Sequence, residues 1–256
     1  MLTRGCDLAA KSNGFAQQRT DLCSVIRQYL DRGMARSAQA SVACVVLGLA
    51  ALAVFCDPPG ATAQDLAPYE VDGFRGARFG MTEPEVRSVV IKNLGVKTSD
   101  LGTAPNPIEG TTVLTARVAS LDPGPGPAQV AFIFGHTSKK LIQVNVIWGD
   151  DQNSKADASA MVAAGTRLER YFSGYSWRKD TTRAGIPVGD NTVVMFAGED
   201  GKKGALRVVV DGVKYQVMQA GKETNSPEPK GPPRLVINYI ADRENPDVAK
   251  IEKGKF

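Results

Sequence analysis

The sequence predicts an α+β fold: two tandem helix-plus-antiparallel-meander units, with the helices packed on one face of antiparallel sheet. Three observations lead there. A capped helix start lies at "MTEPEV" (81–86), and apolar runs such as "KLIQVNVIWG" (140–149), with Ile142, Val144, Val146 and Trp148 on one face and Gln143 and Asn145 on the other, read as half-buried strands. The order helix-then-strands then occurs twice, with no Gly-rich βα turn of the kind a doubly wound parallel sheet needs.

The chain has 256 residues, 43% hydrophobic and 23% charged, with a net charge of +4. These are ordinary globular values. The basic residues are scattered, without the basic patch or aromatic–basic motif of a nucleic-acid binder, so no nucleic-acid partner is expected. Residues 40–56, "ASVACVVLGLAALAVFC", are an apolar run after Arg32 and Arg36, and Ala61-Thr62-Ala63 follows it. A positive flank, an apolar segment and a small-x-small site make residues 34–63 a signal peptide, with Met34 as the expected start. Residues 1–33 are expected to be an upstream extension or a disordered tail. At 17 residues the run is short for a membrane span, which usually needs about 20. Retention of 40–56 as an anchor is the alternative, and the membrane would then be met only through that segment. Cys56 follows Phe55 rather than a small residue, so lipid attachment is not expected.

All four cysteines precede Gln64, the expected first mature residue, so the exported domain has no disulfide framework, thiol nucleophile or thiolate metal site. The mature chain holds 25 basic and 23 acidic side chains, a charge of +2 that points to no partner class. Its location is expected to be periplasmic.

Residues 64–76 read as a linker, 77–150 as the first unit and 151–256 as the second. In the first, Thr82 is the N-cap and Glu85 completes a capping box. Pro84 falls in the first turn, and Met81 and Val86 fit a hydrophobic staple. Val86, Val89, Val90 and Leu94 keep helical spacing, and Gly95 ends the helix. Strands are predicted at 111–120, 128–135 and 140–149. In the second unit a helix is predicted over about 155–174, from Met161, Ala164, Leu168, Tyr171 and Tyr175 at helical spacing. A polar, turn-rich stretch (178–191) then separates it from strands at 191–198 and 205–218. Asp211-Gly212 is expected to turn a hairpin inside 205–218. Residues 220–233 are expected to be a mobile loop that cannot pair in a sheet, and 234–241 the last strand.

"FGMTEPEV" (79–86), with Gly80, Met81, Thr82, Glu85 and Val86 in a "G-M-T-x-x-x-V" style opening before a meander, resembles the BamE/SmpA-like and β-lactamase-inhibitor-protein-like group. The resemblance covers about residues 77–150. It implies a small exported bacterial domain with helices against an antiparallel sheet, sometimes in tandem, acting in envelope assembly or inhibition.

No catalytic, cofactor-binding or metal-ligating residue is assigned from the sequence, and no cofactor is expected. His136, the single histidine, reads as an exposed turn residue without a nucleophile or orienting partner. Asp150-Asp151 and Glu199-Asp200 are the carboxylate pairs that a hydrolase would use. Helix-start and turn roles explain both equally well. Trp148, Trp177 and Tyr175 could anchor a binding surface, although Trp148 and Tyr175 keep the period of core positions. The expected function is therefore non-enzymatic binding of an envelope protein. An envelope hydrolase built on the acidic turns, or a signal-anchored inner-membrane component, is the alternative. Intact mass of the protein purified from the envelope should begin at Gln64; a mass retaining 40–56 would instead identify an anchored protein.

Overall fold

The computed structural model describes residues 66–149, 156–219, 222–228, 231–250 and 254. The expected extension, signal peptide and cleavage site all lie outside them. Within the described residues no helix is long and apolar enough to cross a membrane.

The first strands, β1 (Gly73–Phe74) and β2 (Ala77–Arg78), form a small hairpin. Helix α1 (Glu83–Leu94) follows. Its capping box forms, the Glu85 carboxylate accepting from both the backbone N–H and the hydroxyl of Thr82 at 2.7 Å. Those two bonds hold the Glu85 carboxyl below its ordinary value. Gly95 ends the helix at φ 64°, the left-handed conformation that favours glycine. Then come β3 (Leu101–Asn106), β4 (Thr111–Val118), β5 (Ala128–Phe134) and β6 (Leu141–Trp148). Helix α2 (Ala158–Ser173) starts at an Asp157 cap, whose side chain accepts from the Ser159 N–H. It precedes β7 (Arg183–Val188), β8 (Thr192–Glu199) and β9 (Ala205–Asp211). The chain closes with β10 (Gln216–Gln219), β11 (Lys222–Asn225) and β12 (Arg234–Ile240).

The expectation of two tandem helix-plus-meander units is corrected by the sheet topology. Eight strands form one antiparallel sheet in the order β3-β4-β5-β6-β12-β9-β8-β7. The last strand in the sequence is central in space: β12 pairs with β6 on one side and β9 on the other. Strand order along the chain cannot reveal such a closure, because pairing partners are chosen by burial over long separations.

Alternation of side chains across the pleat makes one face apolar. One row runs Leu114, Phe132, Val144, Tyr239 and Leu206 across neighbouring strands. A second runs Ala116, Val130, Val146, Ile237, Val208 and Phe196. All eleven are buried, and they form a single core cluster with Val86 and Val90 of α1 and Met161, Ala164, Leu168 and Phe172 of α2. Gly165 lets α2 sit close on the sheet, since a Cβ there would come within 2.9 Å of Val210. Trp148, 1% exposed, lies beneath the 121–127 loop and donates its indole N–H to the Leu121 carbonyl at 3.0 Å.

The strands that the sequence concealed are mostly edges and hairpins. β3 ("LGTAPN") and β7 ("RAGIPV") are the two sheet edges, and each carries a glycine and a proline. Such residues discourage further pairing at an edge, and they also disguise the strand. Asp211-Gly212 turns no hairpin: β9 pairs with β8 and β12, and the chain leaves the sheet at Gly212, φ 71°. Asp211 instead accepts from Arg234 at 2.7 Å and Thr192 at 2.8 Å. β10 pairs with β11, so part of the expected 220–233 loop is strand. The stretch expected as a linker is bonded into the domain, with the Ser176 N–H donating to the Ala67 carbonyl at 2.9 Å and the Tyr69 N–H to the Ser176 carbonyl at 3.1 Å.

One continuous sheet and one core should unfold in a single cooperative transition. Ile237→Ala, at the centre of both, should cost about 2–5 kcal/mol in urea titration. Two separable transitions would contradict the single-sheet architecture.

Candidate functional site

The sheet's second face is the one onto which no described helix packs. Its central row crosses from β4 to β8 as Thr115, Ala131, Asn145, Asn238, Arg207 and Ala197. The polar members are fixed to one another. The Asn238 amide donates to Asn145 Oδ1 at 2.8 Å, and Gln143 donates to the same oxygen at 2.7 Å. Arg207 donates to Asn238 Oδ1 at 3.3 Å. A flanking row of Gln129, Ile147, Val236, Val209 and Val194 supplies aliphatic surface, and Val113, Ile133 and Ile240 lie on the other side. The Asn145–Asn238 pair is itself buried, at 7% and 8% exposure, as are Ala131, Ile133, Val194 and Val209, so what this face shows to solvent includes the half-buried set Thr115, Gln129, Gln143, Ile147, Arg207 and Val236.

The C-terminal tail is bonded along the end of the sheet where the β5–β6 turn lies. Its backbone is tied by Ala241 N–H to Ile142 O at 2.9 Å, His136 N–H to Asp247 O at 2.8 Å, and Ala249 N–H to Glu109 O at 2.7 Å. The Asp247 carboxylate accepts the Thr137 and Ser138 N–H groups at 2.9 and 2.8 Å. These hydrogen bonds, led by those to Ser138, bring its carboxyl down to about 2. Gly135 allows that approach, since a Cβ would lie 2.1 Å from Asp247 Oδ2.

The residues singled out in the sequence do not converge. Asp150 and Asp151 lie outside the described residues. Glu199 is buried and ion-paired with both Arg178 and Arg243. Asp200, 3% exposed, accepts from the backbone N–H groups of Val71 at 2.9 Å, Lys202 at 2.7 Å and Gly204 at 2.8 Å. Both carboxylates thus tie segments of chain together: the incoming strand, the loop after α2, the β8–β9 turn and the C-terminal tail. His136 is exposed on the β5–β6 turn, its Nδ1 3.1 Å from the Gly110 carbonyl, to which it donates. Among the described residues no cluster of three or more His, Cys, Asp or Glu could hold a metal ion. An open groove of about 530 Å3 beside the first turns of α2 contains the Lys214–Glu228 ion pair and little other convergent polarity.

Trp148 belongs to the core, as its period implied. Trp177 and Tyr175 join an aromatic cluster at the C-terminal end of α2. Tyr69 stacks on Trp177 at 4.9 Å and meets Tyr175 edge-on at 5.2 Å, while Phe172 and Phe196 back the group from the core. Burial pushes the Tyr69 hydroxyl pKa well above its ordinary value. Tyr69 carries no sequence signal because it lies outside any periodic run, about a hundred residues from its partners Phe172, Tyr175 and Trp177. It also passed over the Asn145–Asn238 pair, whose members lie 93 residues apart.

No protein-family model, curated protein or solved structure matches this chain. Glu199→Gln keeps the side chain's shape but removes the charge between two half-exposed arginines. It should lower stability by about 2 kcal/mol in denaturant melts. A variant as stable as wild type would remove the structural role assigned to this carboxylate.

Proposed function

We propose that this is an exported, periplasmic protein that works without catalysis, by holding an envelope protein against the open face of its sheet. The observation that carries this reading is the preset polar row. The half-buried Gln143 and Arg207 are already held by the buried Asn145–Asn238 pair, so a partner that meets them orders few side chains and loses little conformational entropy. The half-buried residues of the face mix polar and aliphatic side chains, which suits a partner that also exists free in solution. The resemblance of Phe79–Val86 to exported envelope and inhibitor domains points the same way. The carboxylates a hydrolase would need at Glu199 and Asp200 are spent on structural partners.

The test is a crosslinked pull-down of the C-terminally tagged protein from the envelope, comparing wild type with Val236→Arg on the open face and Ile91→Arg on the exposed side of α1. The partner should be recovered with wild type and Ile91→Arg and lost, by roughly tenfold or more, with Val236→Arg. Equal recovery by both variants would move the site elsewhere, and recovery of the bare domain by wild type would count against binding altogether.

A further inference from the structure

We infer that the partner meets the open face through an acidic segment, and that one of its carboxylates enters between Arg183 and Arg207, over the small side chain of Ala197. This rests on the reading of the open face as a binding surface and adds the chemistry of what binds there.

The charge of the sheet is one-sided. The eight strands carry four arginines (Arg117, Arg183, Arg207 and Arg234), two carboxylates (Glu199 and Asp211) and no lysine. All six stand at open-face positions of the pleat, in step with Thr115, Ala197 and Val236. Both carboxylates already have cationic partners, Asp211 in Arg234 and Glu199 in Arg178 and Arg243. The sheet therefore carries an excess of positive charge, although the mature chain is close to balance at 25 basic against 23 acidic side chains.

Register sets two of these arginines around a gap. Arg183 on β7 is opposite Ala197 on β8, and Ala197 is opposite Arg207 on β9, so the three share one row of the same face. With strands about 4.8 Å apart, the backbones under the two arginines are about 10 Å apart, with only a methyl group between them. Arg207 donates to Asn238 Oδ1 at 3.3 Å, and Arg183 donates to the Asp180 and Thr182 carbonyls at 2.9 and 2.8 Å. Amide and peptide oxygens orient a guanidinium without cancelling its charge. The planar fork of arginine matches a carboxylate through two parallel N–H···O bonds.

The surroundings favour an acidic protein segment over other occupants. The row beside this one runs Ile186, Val194, Val209, Val236 and Ile147, and Ile186 at its edge is 40% exposed. Arginines interleaved with aliphatic side chains fit a segment that offers both carboxylates and apolar groups. A track of phosphates would instead call for a continuous line of cations. A second copy of this chain, laid face to face, would set arginine against arginine while its own carboxylates are already paired. Recognition of this kind speeds encounter and weakens as salt screens the charges.

The test compares capture of the envelope partner by wild type, Arg183→Glu, Arg207→Glu, Val236→Trp and, on the exposed side of α2, Arg170→Glu. Each is read at about 0.05 M and about 0.5 M salt, where screening lengths differ roughly threefold. Capture should fall by roughly tenfold in each reversal on the face and in Val236→Trp, hold in Arg170→Glu, and weaken several-fold for wild type at the higher salt. Arg183 is exposed on the edge strand, so its reversal tests the charge even where Arg207→Glu disturbs the Asn238 contact. Benzoylphenylalanine placed at Ile186 then locates the contact on the partner, and the Asp or Glu nearest the crosslink is replaced by arginine. That replacement should restore capture by Arg183→Glu. Loss with Val236→Trp but full capture by both reversals overturns the acidic contact and leaves the open-face reading standing. Full capture by Val236→Trp overturns that reading, and the proposal with it. A crosslinked segment without Asp or Glu, or a crosslink to anionic lipid or nucleic acid, also overturns the proposal.

Discussion

The insertion of β12 between β6 and β9 is the constraint on which the rest of the structure depends. Leu235, Ile237 and Tyr239 each face core residues on both neighbouring strands, and burying such side chains contributes roughly 1.5–3 kcal/mol apiece. Without β12, β6 and β9 would both be edges, each with a row of unpaired N–H and C=O groups. The pairing joins Val146 to Ile237 and Asn145 to Asn238 across some ninety residues of chain. Loop-closure entropy grows slowly with length, so such a distant pairing is thermodynamically accessible even though it delays folding.

Once β12 is seated, both faces of the sheet acquire their character from the same register. The apolar row through Val146 and Ile237 is what α1 and α2 cover. The row one residue away, through Asn145 and Asn238, becomes the open face. A one-residue slip of β12 would place Asn238 in the core and Ile237 on the surface. The buried Asn145–Asn238 hydrogen bond therefore has two consequences: it penalises the wrong register, and it holds Gln143 and Arg207, the half-buried residues proposed to meet the partner.

Carboxylates then secure the ends of the sheet. Asp200 gathers three backbone N–H groups, Glu199 draws in Arg178 and Arg243, and Asp247 caps the β5–β6 turn. The described residues include no cysteine, and these local electrostatic ties, together with the core, hold the segments together without disulfides. The chain's first described residues are held by the same arrangement. Val71 bonds Asp200 and Tyr69 packs into the aromatic cluster, so the path by which the chain arrives is as ordered as the sheet.

What the sequence determined by itself was local. The α1 cap at Thr82–Glu85, its end at Gly95, α2, and strands β4, β5, β6, β8, β9 and β12 were all legible, because capping and side-chain periodicity act over a few residues. The edge strands were illegible because the glycine and proline that protect an edge also erase its strand signal. The tertiary structure alone decided that one sheet forms rather than two units. It alone committed Glu199 and Asp200 to holding segments together, and it assembled the Asn145–Asn238 row and the Tyr69–Tyr175–Trp177 cluster. Each of these joins residues far apart in the chain, and their proximity is set by which surfaces can be buried together.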